Sequence, residues 1–306
     1  MSQLRISVSP HIHGKTTTTG IMLDVIIALL PATIAGVIIF GLSALAVVAA
    51  CVATTVLCEG IFNKIVKKEQ TLGDLSAMVT GLLLALNLPA NVPIWQAVVG
   101  SFFAIIVVKC LFGGIGCNVV NPAITGRVFM LIAFGSMTQA AFPVDATAGA
   151  TPLVDLAAGT SPELMDLFLG TTGGAIGETC AAALLAGGLY LLVKRVITWQ
   201  LPVAFIATVF VFSFLVDGMS VTNALAWILS GGLMIGAFFM ATDYTTSPVT
   251  SWGKIIFGIG AGVLTCLIRF WGNYPEGVSF AILFMNILNP YIDSWTARKP
   301  FGGEKA

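Results

Sequence analysis

Charge is what this chain has least of. Lys, Arg, Asp and Glu together make up 9% of its 306 residues, where a soluble domain carries about 25%. Apolar residues make up 57% and the mean hydropathy is +0.98. These values argue against a soluble globular domain and for a polytopic membrane protein. The formal net charge is zero, so nothing points to nucleic acid. Cysteine is sparse: Cys51, Cys58, Cys110, Cys117, Cys180 and Cys266 lie mostly inside apolar runs, with no CxxC pair among them. That pattern argues against a disulfide framework and against a self-contained iron–sulfur or zinc site, and no metal ligands are expected. The first twenty residues include Ser, Thr, His and Lys but no apolar run, so no cleavable signal peptide is expected. His11 and His13 in that arm read as solvated side chains.

What the chain has is long apolar runs. Crossing the hydrocarbon core takes about 20 mostly apolar residues per helix, and in lipid the backbone must satisfy itself within helices or closed barrels. The runs are helical in length, so the expected fold is all-α, a polytopic bundle of about ten transmembrane helices. They are placed near 21–40, 42–62, 75–88, 94–112, 124–142, 171–193, 201–216, 221–240, 255–271 and 278–295. The spans near Leu75 and Leu201 are short for a full crossing, so breaks or local thinning of the bilayer are expected there.

Lys and Arg favour the cytoplasmic side of short loops. With the N-terminus inside, Arg5, Lys15, Lys64, Lys67, Lys68, Lys194, Arg195, Lys254, Arg298, Lys299 and Lys305 collect on that side, with Lys109 and Arg127 near inner helix ends. Only Arg269 falls near an outer end. The expected organisation is a cytoplasmic arm (1–20), a first transmembrane half (21–142), an extracytoplasmic loop (143–170), a second half (171–295) and a cytoplasmic tail (296–306). An odd number of spans in each half allows an inverted repeat of two five-helix halves with broken helices. LLLALNLP, ending at Pro89, and FFMATDYTTSP, ending at Pro248, each close a third helix with a polar turn and a proline.

Three stretches interrupt the apolar pattern: Leu86 to Pro93, Phe112 to Arg127 and Ala241 to Pro248. Asn and Pro can simply terminate helices at the membrane edge. Three such segments, each dense in polar groups, point instead to a lined central site, because irregular backbone at membrane depth survives only inside protein or around a cavity. Asn118, Asn121 and Arg127 are its candidates. Ionisable residues within membrane segments are costly and often functional. Among Asp24, Glu59, Glu178, Asp217 and Asp243, the ion-pathway candidates are Asp243 and Glu178. Glu59, beside Lys64, and Asp217, in an outer turn, read as structural.

The 143–170 loop contains DATAGATPL, Asp145 to Leu153, and carries Asp145, Asp155, Glu163 and Asp166 with no Lys or Arg. On residue types alone, Thr151 followed by Pro152 is a helix N-cap with proline at the first helical position. The pattern of Asp145, Gly149, Ala150 and Thr151 resembles the site at which FMN is joined through its phosphate to a threonine in the D subunit of the Rnf ion-translocating electron-transport complex. The B subunit of the sodium-translocating NADH:quinone reductase carries a similar site. GDLSAMVTGLLLALNLP, FGGIGCNVVNPAITGR, GGAIGETCAAALLAGGLYLL, FFMATDYTTSPVT and YPEGVSFAILFMNILNPYID, between Gly73 and Asp293, resemble the same family in the same order. Ala148 stands where these proteins usually carry Ser or Thr, and Tyr244 and Thr245 follow Asp243 where Pro and Val are usual.

The resemblance implies a component, inactive alone, of an ion-translocating ferredoxin:NAD oxidoreductase in the bacterial cytoplasmic (inner) membrane. It implies covalent FMN on Thr151, with Asp145, Gly149 and Ala150 completing the attachment motif, and it admits a second, non-covalent flavin such as riboflavin. No catalytic side chain of its own is implied. The flavin would relay electrons between ferredoxin and NAD, coupled to Na+ or H+ transport. The implied partners are the membrane, iron–sulfur and flavin subunits of an Rnf complex, and a flavin transferase for maturation. The reductase protein is the alternative, although a first helix near Ile21 favours the Rnf type. A non-redox membrane transporter, in which Thr151 is only a cap, is the rival from another class. In the loop, the flavin phosphate would lean on backbone N–H groups, those of a helix opening near Thr171 among them.

Overall fold

The computed structural model describes residues 16–135, 141–143, 151–272 and 277–297. His11, His13, Asp145, Gly149, Ala150 and the tail from Arg298 lie outside the described residues. Within them the fold is all-helical, with no strand and one isolated bridge, Ala141 to Gly174. The first half contains α1 (Thr18–Phe40), α2 (Leu42–Val66), α3 (Ser76–Leu86), α4 (Ile94–Phe102) and α5 (Pro122–Ala133). Helix α4 runs on as a π-helical segment, Phe103–Cys110. Two short helices follow, α6 (Pro152–Ala157) and α7 (Leu164–Leu169). The second half contains α8 (Ala181–Val193), α9 (Gln200–Val216), α10 (Val221–Leu229), α11 (Leu233–Ile235), α12 (Ser251–Trp271) and α13 (Val278–Thr296), with α11 extended by a π-helical segment, Gly236–Met240. Helices α1, α2 and α12 are long and apolar enough to cross a membrane, and α10 with the α11 unit makes a fourth if that bent pair is one span.

Among the described residues ten helical units, with α10 and α11 taken as one, thus stand where ten spans are expected, with three corrections. The fifth ends at Ala133 rather than Phe142, and the sixth begins at Ala181 rather than Thr171. Residues 171–180 are turn and irregular chain rather than helix because they serve as partners for another element: the Ile176 and Gly177 N–H groups donate to Leu88 and Leu86 carbonyls at 3.0 and 2.8 Å. These carbonyls lie at and just beyond the end of α3, where a helix has no intrahelical donors left. The third correction concerns the breaks. Helix α3 is short as expected, at 11 residues, but α9 is one continuous helix of 17. The break falls instead between α10 and α11, which meet at 68°. Gly231 there takes a positive φ of 67°, which costs a glycine little.

Packing relates the two halves through like elements: α1 lies on α8, and α5 on α13. The α1–α8 seam is backbone-close. A Cβ on Gly187 would sit 2.0 Å from the Ala28 carbonyl oxygen, and one on Gly36 would sit 2.4 Å from that of Ile176. Small residues allow such approach, which is how helices associate without a hydrophobic drive between them. Gly187→Val is therefore expected to lower the yield of folded, detergent-purified protein severely, while Gly73→Ala, with nothing within 4 Å, leaves it unchanged. Size-exclusion profiles of the two variants check this.

Most buried apolar residues join one core, but Leu153, Leu156, Leu167, Ala226 and Trp227 form a separate cluster that ties α6 and α7 to α10.

Candidate functional site

The candidate residues fall into two groups rather than one. The first surrounds a cavity of about 250 Å³ lined by Ser76, Lys109, Asn118, Asn121 and Asp243 together with apolar side chains such as Phe238. Asn121 is placed by its own chemistry. It caps α5, its Oδ1 accepting the N–H groups of Ala123 and Ile124 at 3.0 and 3.3 Å, with Pro122 at the first helical position. Its Nδ2 donates to the Met240 carbonyl at 3.2 Å, at the end of the α11 unit. Asn286 on α13, in the amide orientation that satisfies both contacts, accepts the Asn121 N–H at 3.1 Å and donates to the Thr246 carbonyl at 3.2 Å. Asn118 donates to the Val120 carbonyl at 3.1 Å. Asp243 accepts from the hydroxyls of Thr245 and Thr246 at 3.2 and 3.3 Å. Polar side chains from several segments therefore share one chamber with apolar ones, the usual make-up of a ligand pocket.

The floor of this cavity holds a feature that sequence reading missed. Lys109, on the π-helical segment after α4, is buried and donates to Glu59 at 2.9 Å and to the Ser76 hydroxyl at 2.6 Å. The Thr71 hydroxyl donates to the other Glu59 oxygen at 2.7 Å, and Ser76 donates to Asp74 at 2.6 Å. Glu59 thus pairs with Lys109, not with Lys64. π-Helical turns are frequent at functional sites, and a run of apolar residues around one lysine was the only available sign.

The second group lies around the α10–α11 break. Arg127 does not line the cavity. Its Nη1 donates to Asn87 Oδ1 at 2.8 Å, and Asn87 Nδ2 reaches Met240 Sδ at 3.7 Å. Glu178 is buried. One carboxylate oxygen accepts the Ala175 N–H at 2.8 Å, and the other has no hydrogen-bond partner. A Cβ on Gly232 would lie 3.5 Å from that free oxygen and 4.0 Å from Asn87 Oδ1. Arg269, from α12, caps the broken end of α10 by donating to the carbonyls of Trp227 and Ser230 at 2.7 and 3.1 Å. Such donors satisfy carbonyls that a helix end leaves open. Of the remaining acids, Asp24 accepts from Tyr190 at 2.7 Å, and Asp217 accepts from the Trp227 indole at 3.0 Å.

Thr151 is the N-cap of α6, with β-region backbone angles and proline following it. Its half-buried side chain makes no capping hydrogen bond. The backbone is therefore that of a cap while the hydroxyl is not used as one. The N–H groups of Gly174, Ile176 and Gly177 are bonded to the carbonyls of Ala141, Leu88 and Leu86, and α8 opens only at Ala181. A helix N-terminus near Thr171 is thus not there to receive a phosphate. Among the described residues no group of three His, Cys, Asp or Glu could hold a metal ion.

Comparison with known proteins matches residues 5–302 to the family described as NQR2, RnfD, RnfE. The chain is 48% identical to the D subunit of the Na(+)-translocating ferredoxin:NAD(+) oxidoreductase complex of Acetobacterium woodii, over 99% of this chain and 96% of that protein. It is 41% identical to the D subunit of the proton-translocating ferredoxin:NAD(+) oxidoreductase complex of Clostridium ljungdahlii, over 97% and 96% respectively. It is 39% identical to the D subunit of the ion-translocating oxidoreductase complex of Stutzerimonas stutzeri, over 94% and 93%.

Proposed function

The chain belongs to the NQR2, RnfD, RnfE family, and from that membership we infer that it is the membrane-embedded D subunit of an Rnf-type ion-translocating ferredoxin:NAD oxidoreductase, carrying FMN on Thr151. The observation that carries the assignment is near-full-length identity of 48% with the D subunit of such a complex. The reading of Thr151 is supported by its position. It opens a short helix seated on the bundle, and its hydroxyl is not used in capping. Asp145, Gly149 and Ala150 complete the attachment motif, and a partner flavin transferase loads the group.

The bound flavin supplies one-electron and two-electron redox chemistry; the protein supplies position and electrostatics. Helix α6 holds Thr151 against α10 through Leu153 and Leu156. The cavity lined by Asn118, Asn121, Asp243 and apolar side chains such as Phe238 would suit a second, non-covalent flavin, the apolar side chains offering contact to a ring and the polar ones hydrogen bonds. The chain has no iron–sulfur ligand set among its described residues, so other membrane, iron–sulfur and flavin subunits deliver and remove the electrons.

The membrane is the bacterial cytoplasmic membrane, with both termini inside and the α6–α7 segment outside. The two five-helix halves form an inverted repeat, supported by the pairing of α1 with α8 and of α5 with α13. Broken helices near such a repeat interface are the usual place for a coupled cation. Glu178 beside the α10–α11 break and Asp243 at the cavity are the carboxylates that serve Na+ or H+ passage. Assembled complex in sealed vesicles tests this. Ferredoxin-driven NAD reduction is expected to move cations across the membrane and to lose that transport, before its electron transfer, in Glu178→Gln. Unchanged transport in both Glu178→Gln and Asp243→Asn would contradict it.

A further inference from the structure

The flavin on Thr151 brings an anionic phosphodiester to a segment that has no cation of its own. No Lys or Arg occurs between Arg127 and Lys194. The described part of the loop adds Asp155, Glu163 and Asp166, all carboxylates. Reduction of the flavin adds further negative charge. The N–H groups of Gly174, Ile176 and Gly177 before α8 are already engaged, so a cation elsewhere in the fold is the natural source of balancing charge.

We propose that Arg269 supplies it: a positioning residue that holds the floor beneath the flavin-bearing helix and sets the electrostatics of that station. This rests on the reading that Thr151 carries FMN.

Three observations lead to Arg269. First, it sits directly beneath α6. A Cβ on Gly231 would lie 2.7 Å from Leu153 Cδ1 and 3.2 Å from Arg269 Nη2, so the side chain two residues after Thr151 and the guanidinium flank the same backbone position. Second, the guanidinium is buried yet not fully used. Two nitrogens cap the Trp227 and Ser230 carbonyls, while Nε has no hydrogen-bond partner. A buried cation that bonds only to neutral carbonyls keeps its net charge, and low local dielectric lets that charge act over a longer range than in water. Third, the nearby carboxylate does not neutralise it by contact. Glu178 is within electrostatic reach of both Arg269 and Arg127, but its free oxygen forms no hydrogen bond. Cys266, on the same helix, is the other titratable group facing Arg269.

Arg269 acts on the flavin at two levels. Through the capped end of α10 it fixes the surface on which Leu153, Leu156 and Trp227 pack, and so the place of Thr151. Through its charge it stabilises the electron-rich form of whatever is attached there. Glu178 opposes that second effect. The two residues should therefore move the flavin's midpoint potential in opposite directions.

The test uses the whole complex, purified from cells that supply the flavin transferase. Covalent flavin is scored by in-gel fluorescence of this chain, and the midpoint potential of that flavin by spectroelectrochemical titration. Arg269→Gln is expected to be labelled but to titrate at a more negative potential. Arg269→Lys, which keeps the charge, stays near the wild-type value, and Glu178→Gln titrates at a more positive one. A purely structural role for Arg269 would leave the midpoint of labelled protein unmoved, and that result overturns the proposal. Should Arg269→Gln fail to accumulate, Glu178→Gln decides: an unchanged or more negative midpoint overturns it. Absence of fluorescence in the wild-type chain strikes the flavin reading itself and takes the role of Arg269 with it.

Discussion

Lys109→Met is expected to destabilise the protein by about 3–5 kcal/mol, the usual cost of leaving one partner of a buried ion pair uncompensated. Lys109 and Glu59 have side chains only 4% and 3% exposed, with a 2.9 Å contact. Removing the ammonium strands the Glu59 carboxylate with a single remaining side-chain donor, Thr71, and deprives Ser76 of a partner. The pair need not add net stability compared with apolar residues, since desolvating two charges costs about as much as their attraction returns. Lys109→Met combined with Glu59→Leu should therefore recover most of the loss. Thermal unfolding of the detergent-purified protein measures both. A single variant as stable as wild type would mean that the pair is solvated or dispensable. If the double variant is stable but the complex is slow, the pair serves the cavity it floors rather than the fold.

The second large effect concerns Thr151. Thr151→Ala should remove covalent flavin from the chain entirely and bring ferredoxin-dependent NAD reduction by the assembled complex to background, because a relay missing one station carries no current. The fold should survive. Replacing a capping threonine by alanine costs about 0.5–2 kcal/mol where the hydroxyl accepts a backbone N–H, and here it makes no such bond. Thr160→Ala, beyond the other end of α6, removes only an exposed hydroxyl bonded to the Asp155 carbonyl at 2.8 Å. It should leave flavin and activity intact. Wild-type electron transfer in Thr151→Ala would show that the threonine is a helix start and nothing more.

Much of the fold was legible because local chemistry and burial agreed. The fifth span is expected to begin near Ile124, and α5 opens two residues earlier at Pro122, with Asn121 capping it. The apolar runs of α1, α2 and α12 are long enough to be read directly. What hydropathy could not separate was apolar helix from apolar extended chain. The stretch from Thr171 to Cys180 has low charge but is rich in glycine, and its Ile176 and Gly177 N–H groups bond to carbonyls at and just beyond the end of α3. Gly177 shows why: a Cβ there would lie 2.5 Å from Leu86 Cβ, so the residue reads as a weak helix former and acts as a place of close approach. The α10–α11 break carried a signal in Ser230, Gly231 and Gly232 that the surrounding apolar residues masked.

The candidate site was legible in part for a different reason. Asn118, Asn121 and Asp243 stand out as polar residues in apolar surroundings, and they do line one cavity. Arg127 and Glu178 stand out equally but belong beside the broken helix, with Asn87 and Arg269. Which polar residues meet depends on how α3, α5 and α8 cross, and no spacing within a single helix encodes that. The same holds for Lys109 and Glu59, fifty positions apart in sequence.

The central claim is that this chain carries FMN on Thr151, and mass spectrometry of the proteolytic peptide that spans it tests this most directly. Protein from cells containing the flavin transferase should yield that peptide heavier by one FMN less one water, with fragment ions placing the addition on Thr151. An unmodified peptide from a complex that still transfers electrons from ferredoxin to NAD would contradict the account.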